Sequence, residues 1–388
     1  MGRYLEVLAV VSSIYAAWFT IGIYAPYLPL YAYYVLGASN FLVGLLATVY
    51  FGVNAPSSVA VGYLVDRYGG VRAIMIAALT LMSTANAMTV FVPASELLLL
   101  IRAAQGFSSA AIIPLSNLLG SELFGPGRGI GIVNTVGSAG FLSASVLGGF
   151  LVDIYGYHSL FVISAVIPAL STAILAAAGG GTVIREPHAI RLSDVRRLGR
   201  VLAVMYVLLF MRQLGAAGVW SLFSLFIYSL GGDNVAVGLA YALNTMTQVL
   251  VFERMSRFAE GRGLVVFEAG LLLSSLVFVG YYLASSPSEV LPVQVVLGVS
   301  WAALYSGITV YVVESVPQEV RATGLGLIGA TLAMGWVLGS AIGGAVADMY
   351  QSYKVYILAA ALLSFTAFAA AEVLRRLLKG GPKTPGEP

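Results

Sequence analysis

Twelve stretches of this 388-residue chain are each apolar for about 20 residues or more, and most of the links between them are too short to fold by themselves. A continuous apolar run of about 20 residues is what an α-helix needs to cross the hydrocarbon of a bilayer. Membrane-barrel strands would alternate apolar and polar positions, and these runs do not. The spans read as about 5–36, 41–62, 73–93, 97–121, 129–152, 158–178, 200–230, 234–253, 264–284, 290–313, 322–347 and 354–377. Only 10% of the residues are charged, against about 25% in soluble domains, so most of the surface must face lipid. The first span is too long for a signal-peptide core and is read as a retained helix, with Pro26 and Pro29 predicting a kink or an unwound outer end.

Orientation follows from the cations in the links. With both termini cytoplasmic, every Lys and Arg outside the spans except Lys354 falls inside, including Arg67, Arg72, Arg128, Arg196, Arg197, Arg262 and Arg321. The outer links carry Glu96, Asp153, Asp233, Glu289 and Asp348 instead. The expected location is a cell membrane. The longest hydrophilic break, with Gly179-Gly180-Gly181 and Pro187, lies at mid-chain. It divides a first bundle (residues 1–180) from a second (200–378) through a cytoplasmic linker (181–199), and residues 379–388 read as a disordered tail.

The two halves repeat. Gly140, Ser145, Gly148, Gly149, Asp153 and Tyr155 fall on Gly335, Ser340, Gly343, Gly344, Asp348 and Tyr350 at an offset of 195 residues. Gly106 and Ser108 fall on Gly298 and Ser300 at 192, and Leu36, Gly37, Asn40 and Gly44 fall on Leu230, Gly231, Asn234 and Gly238 at 194. Parallel repeats of six helices define a pseudo-two-fold transporter. The expected fold is therefore all-α: twelve transmembrane helices in two pseudo-symmetric six-helix bundles.

Between the second and third spans stands Gly62-Tyr63-Leu64-Val65-Asp66-Arg67-Tyr68-Gly69-Gly70-Val71-Arg72. It closely resembles the signature linking helices two and three of the major facilitator superfamily. Arg102-Ala103-Ala104-Gln105-Gly106 is similar to that family's fourth-helix motif, and Glu314, Pro317 and Arg321-Ala322-Thr323-Gly324 resemble its tenth-to-eleventh link. The resemblance covers essentially the whole chain. It implies the superfamily fold and alternating access without ATP hydrolysis. One departure stands out: many antiporters of the family carry Gly-Pro-x-x-Gly-Gly in helix five. Here the run is Ala144-Ser145-Val146-Leu147-Gly148-Gly149, without the proline, which speaks against drug/proton antiport.

The hinge is either an ordinary charged loop or an inner latch. As a latch, Gly62 lets a neighbouring helix approach, while Gly69 and Gly70 permit a tight turn. Asp66 can face the positive N-terminal end of a second-half helix. The resemblance makes that helix eleven. Arg67 and Arg72 can pair with Glu122. The second half carries a weaker copy around Glu260 and Arg262.

Charges inside spans are costly and mark function. Arg102 and Arg212 qualify, each as a substrate contact or as an internal brace. No Asp or Glu stands at mid-depth, and Glu268 lies only about a turn from the inner end of the ninth span. Two buried cations without an acid point to an anion, which an arginine can hold through two hydrogen bonds. Gln213 follows Arg212, and Asn244 and Gln248 share a helical face with Thr247 beside them. Asn54, Asn86, Asn117, Asn134, Trp18, Tyr24 and Tyr305 are further candidates for cavity or helix–helix contacts.

The leading expectation is a secondary transporter of a small organic solute, anionic in character. An exporter of amphipathic or drug-like compounds and a transporter-like membrane sensor are the alternatives. No cysteine is present and the two histidines, His158 and His188, are far apart, so neither a metal site nor an enzyme is expected. Gly324-Leu325-Gly326-Leu327-Ile328-Gly329 fits a dinucleotide pattern but follows no strand, and no phosphate-binding G-x-x-x-x-G-K-[ST] occurs. The expected partners are the small-molecule substrate, lipid and, as an open question, a coupling ion. No cofactor or nucleic acid is expected, and the chain reads as a monomer.

Overall fold

The computed structural model describes residues 2–68, 70–124, 126–178, 199–316 and 318–380. Twelve of its helices are long and apolar enough to cross a membrane, and among the described residues there is no strand. In the first half α1 spans Gly2–Leu30, α2 Asn40–Tyr68, α3 Val71–Thr89, α4 Leu97–Phe124, α5 Pro126–Tyr155 and α6 Tyr157–Ala177. In the second, α7 spans Gly199–Ser221 and resumes as Phe223–Ser229. It is followed by α8 (Asn234–Ala259), α9 (Gly263–Leu283), α10 (Pro287–Ser315), α11 (Gln318–Tyr350) and α12 (Tyr353–Gly380). The expected linker and tail fall almost wholly outside the described residues.

Departures from the expected spans have local causes. After Pro29 the first span widens into a π-turn, Tyr31–Val35, where Leu36 N–H reaches the Tyr31 carbonyl. A proline that cannot donate and crowds the preceding turn favours such a bulge. The seventh span, expected as one helix, breaks at Leu222, where φ is −112° and ψ 6°. The third ends at Thr89 rather than near 93, because Pro93 disfavours helix in the residue before it. α2 and α12 run past their apolar segments to Tyr68 and Gly380.

The two halves meet along two equivalent seams, α2 against α11 and α5 against α8. Small residues set their closeness. A Cβ on Gly44 would collide with the Ser340 carbonyl, and one on Gly238 with the Ser145 carbonyl. Likewise Gly344 lies against Asn40 O and Gly149 against Asn234 O. These four pairs are the repeat anchors of the sequence, paired crosswise, so the duplication is a structural two-fold.

The seams close at the end away from the termini. There Asp348, ending α11, accepts from the backbone N–H of Asn40 (3.0 Å) and Phe41 (2.8 Å) and from Asn40 Nδ2 (2.8 Å). Asp348 thus caps α2 of the other half. In the equivalent place Asn234 Nδ2 donates to Asp153 Oδ1 at 2.7 Å. The two asparagines are steadied by tyrosines, Tyr353 on Asn40 (3.0 Å) and Tyr228 on Asn234 (2.6 Å). In the sequence Asp153 and Asp348 stand out only as outer-link acids and as a repeat pair.

At the termini-bearing end the halves stand apart. A Cβ on Gly62, Gly326 or Gly329 would meet no atom within 4 Å. The close approach expected at Gly62 is therefore absent in this arrangement. Gly70 has φ +71°, as the tight turn requires. Arg67 donates to Tyr63 Oη (2.5 Å), and Arg72 donates to the carbonyls of Leu175 and Ala176 at the end of α6. Gly69 and the side chains of Asp66 and Glu122 lie outside the described residues. In the second-half copy Glu314 accepts from Gly261 N–H (2.9 Å), Arg262 lies over the Phe258 ring, and Glu260 is exposed.

Candidate functional site

A cavity of about 180 Å³ lies in the second half, lined from α7, α8, α10 and α11. Four of the candidate residues meet on its wall: Arg212, Gln213, Asn244 and Gln248. Arg212 is 3% exposed. Its Nε donates to Ser274 Oγ (2.9 Å) and its Nη1 to Gln213 Oε1 (3.0 Å), and the guanidinium carbon stands 5.3 Å from the centre of the Trp301 ring. Ser274 is held in turn by Ser300 at 2.8 Å. No carboxylate among the described residues lies within ion-pair reach of Arg212. Nη2 takes no described protein acceptor, so the Nη1/Nη2 edge has N–H groups to offer.

Local packing makes this wall. A Cβ on Gly335 would come 2.6 Å from Gln213 Cγ, so the glycine of α11 makes room for that side chain. Gly298 of α10 lies against the Asn244 carbonyl and Thr247, bringing α8 close enough to share the cavity. Gln248 Nε2 donates to Asn244 Oδ1 at 3.0 Å, which fixes the two amides as a unit on one helical face.

The other candidates are not among the lining residues. Arg102 donates to the Leu46 carbonyl (3.3 Å) and Gln105 Oε1 (2.7 Å) and sits 4.2 Å from the Tyr50 ring centre. Gln105 continues to Asn86, and Asn86 to the Ser164 carbonyl, so this network ties α2, α3, α4 and α6 together. Tyr24 shares a hydrogen bond with Thr89 (2.7 Å) inside the first half. Tyr305 stacks on Trp301 with ring centres 5.8 Å apart. Asn54 is spent on the Gly106 carbonyl, the side chain of Asn117 lies outside the described residues, and Trp18 packs on Gly137.

The tryptophans of the wall were missed from sequence. Trp220, Trp301 and Trp336 all line the cavity, and the chain has four tryptophans in all. A signal was available in the repeat: Trp301 stands where the first copy has Ser109, and Trp336 where it has Phe141. Trp336 also stacks on Phe51 of α2, with ring centres 4.6 Å apart and planes 16° apart. Glu268 is buried near the start of α9, but it pairs with Arg375 of α12 at 2.7 Å and does not serve the cavity.

Two six-helix bundles, joined at one end and parted at the other beside a cavity with a buried charge, define a secondary transport protein of the membrane. A family model described as Major Facilitator Superfamily matches residues 10–203 and 205–387, and the chain belongs to that superfamily. Among its relatives, monocarboxylate transporter 13 of Rattus norvegicus is 31% identical over 173 residues, covering 43% of this chain and 39% of that protein. Multidrug resistance protein MdtG of Dickeya zeae (strain Ech586) is 24% identical over 396 residues, covering 94% and 95%. A solved structure of a mutant nucleoside transporter NupG superposes with a TM-score of 0.84 at 15% identity, over 95% of this chain and 99% of that one. At that identity the likeness speaks for the fold alone.

Proposed function

We propose that this protein carries a small organic anion across a cell membrane by alternating access, with Arg212 as the anion contact and Gln213, Asn244 and Gln248 as polar partners. One observation carries the reading: Arg212 is buried on the cavity wall without an acidic partner among the described residues. A desolvated guanidinium without a counter-charge is costly, and a carboxylate arriving in the cavity supplies that charge through two charge-assisted hydrogen bonds. The partial likeness to a monocarboxylate transporter agrees with this class. The termini-bearing end is the cytoplasmic one, by the placement of the basic links, and the chain acts as a monomer.

The second reading is export of drug-like compounds, favoured by the likeness to MdtG. The cavity, about 180 Å³, is smaller than the roughly 300–1,000 Å³ of drug-sized sites. A small metabolite fits it better. The test is a thermal-shift screen of purified protein against organic anions, cations and sugars, repeated with Arg212→Ala. Stabilisation by anions alone, lost in the variant, supports the proposal. Stabilisation by cations alone, or anion binding unchanged in the variant, overturns it.

A further inference from the structure

The cavity wall is richer in indole than an anion alone requires. Three of the four tryptophans in the chain face one small space, from α7, α10 and α11. Tryptophan is expensive to place by chance in a membrane bundle. Its N–H needs a partner or a wet surface, and its bulk must be matched by small neighbours. Two of these three occupy positions where the first-half copy carries a smaller side chain, Ser109 or Phe141. The second half thus carries indole surface at the cavity that the first half lacks, within the helix crossings that the repeat shares.

The rings are also held in place. Trp336 is backed by Phe51, Trp301 by Tyr305, and Trp220 stands 5.0 Å from both Phe223 and Tyr241. Rings supported from behind lose little freedom when a further ring packs on them. Arg212, steadied by Ser274 and Gln213, stands over the Trp301 ring, so charge and indole surface adjoin in the same cavity. A ligand that satisfies both parts is charged at one end and flat and apolar at the other.

Resting on the anion reading above, we infer that the substrate is a small aromatic carboxylate, with a single ring system. Its carboxylate takes the Nη1/Nη2 edge of Arg212. Its ring lies among Trp220, Trp301 and Trp336. The volume of about 180 Å³ accommodates one ring with its carboxylate and excludes extended polycyclic compounds.

Three probes of near-equal size separate the two ideas: benzoate, cyclohexanecarboxylate and benzamide. Their binding to the purified full-length protein is measured by isothermal titration calorimetry. Benzoate should bind up to roughly tenfold more tightly than cyclohexanecarboxylate, the factor that ring stacking provides. Benzamide should bind at least tenfold more weakly than benzoate. In Trp336→Leu the advantage of benzoate over cyclohexanecarboxylate should shrink to about twofold, and Trp336→Phe should restore much of it. Equal binding of the two carboxylates would overturn the aromatic inference and leave the anion reading standing. Equal binding of benzamide and benzoate would overturn the anion reading and leave the ring preference. Binding of none of the three would overturn the aromatic inference.

Discussion

Asp348, the last acid of α11, caps α2 of the opposite half by holding Asn40 through both its backbone N–H and its side-chain amide. The contact ties the halves together only while the end away from the termini is closed. Asp153 makes the related contact to Asn234 with one hydrogen bond to the asparagine amide. The two latches are equivalent in position and unequal in strength.

Asp348→Ala is therefore expected to weaken the closed end more than Asp153→Ala. Loss of a helix cap and its charge costs about 1–2 kcal/mol, which moves the ratio of the two arrangements roughly five- to thirtyfold. The chain has no cysteine, so the exposed positions Val35→Cys and Tyr350→Cys give a spin-label pair beside the Asp348 latch, and Ser229→Cys with Tyr155→Cys the repeat-equivalent pair beside the other. Pulsed electron resonance distances should show a larger separated population for the Asp348 variant. Identical populations in both variants would refute the ranking.

Glycines at the two ends should answer differently to alanine. Gly44→Ala drives a methyl group into the Ser340 carbonyl and is expected to lower the melting temperature, with a cost of about 1–3 kcal/mol for overpacking. Gly326→Ala has open space around it here and should leave the melting temperature unchanged or slightly raised. If the termini-bearing end closes during transport, Gly326→Ala should still slow uptake into proteoliposomes. Normal uptake would argue against close packing of α11 in that phase.

Arg212→Lys keeps the charge and loses the fork. Lysine is a point charge and cannot present two parallel N–H groups. Affinity for benzoate should fall about tenfold in Arg212→Lys and about a hundredfold in Arg212→Gln, in line with the worth of hydrogen bonds to charged groups. Calorimetric titration decides, and equal affinities across the three proteins would exclude a bidentate contact.

Arg102 should behave in the opposite way. Its truncation strands Gln105 and leaves the Leu46 carbonyl without this donor inside the first half. Arg102→Ala is expected to cost about 1–3 kcal/mol of stability while leaving the benzoate dissociation constant unchanged. A large loss of affinity in a well-folded variant would bring Arg102 into the binding site.

Much of the architecture was legible in the residues because the bilayer permits so few solutions. An unbroken apolar run must be a helix, and a repeated Gly44…Ser340 pattern must be a crossing. The polar half of the candidate site was legible for the same reason: Arg212 is expensive where it stands. Its aromatic half was not. Among 44 aromatic residues, nothing in periodicity separates Trp336 from a lipid-facing ring. Only the tertiary arrangement gathers Trp220, Trp301 and Trp336. The Asp348 latch was hidden in another way, because its partner, Asn40, lies 308 residues away in sequence. The break at Leu222 left no proline or glycine at that position to announce it.

The residues lining the cavity all come from the second half. On the proposed mechanism the bound molecule rides with one bundle as a passenger, and the first bundle serves as a sliding door. Selectivity can then drift through changes on four helices while the door and its hinges stay as they are. A duplicated ancestor with twin cargo sites would have become, in this chain, a carrier with a division of labour.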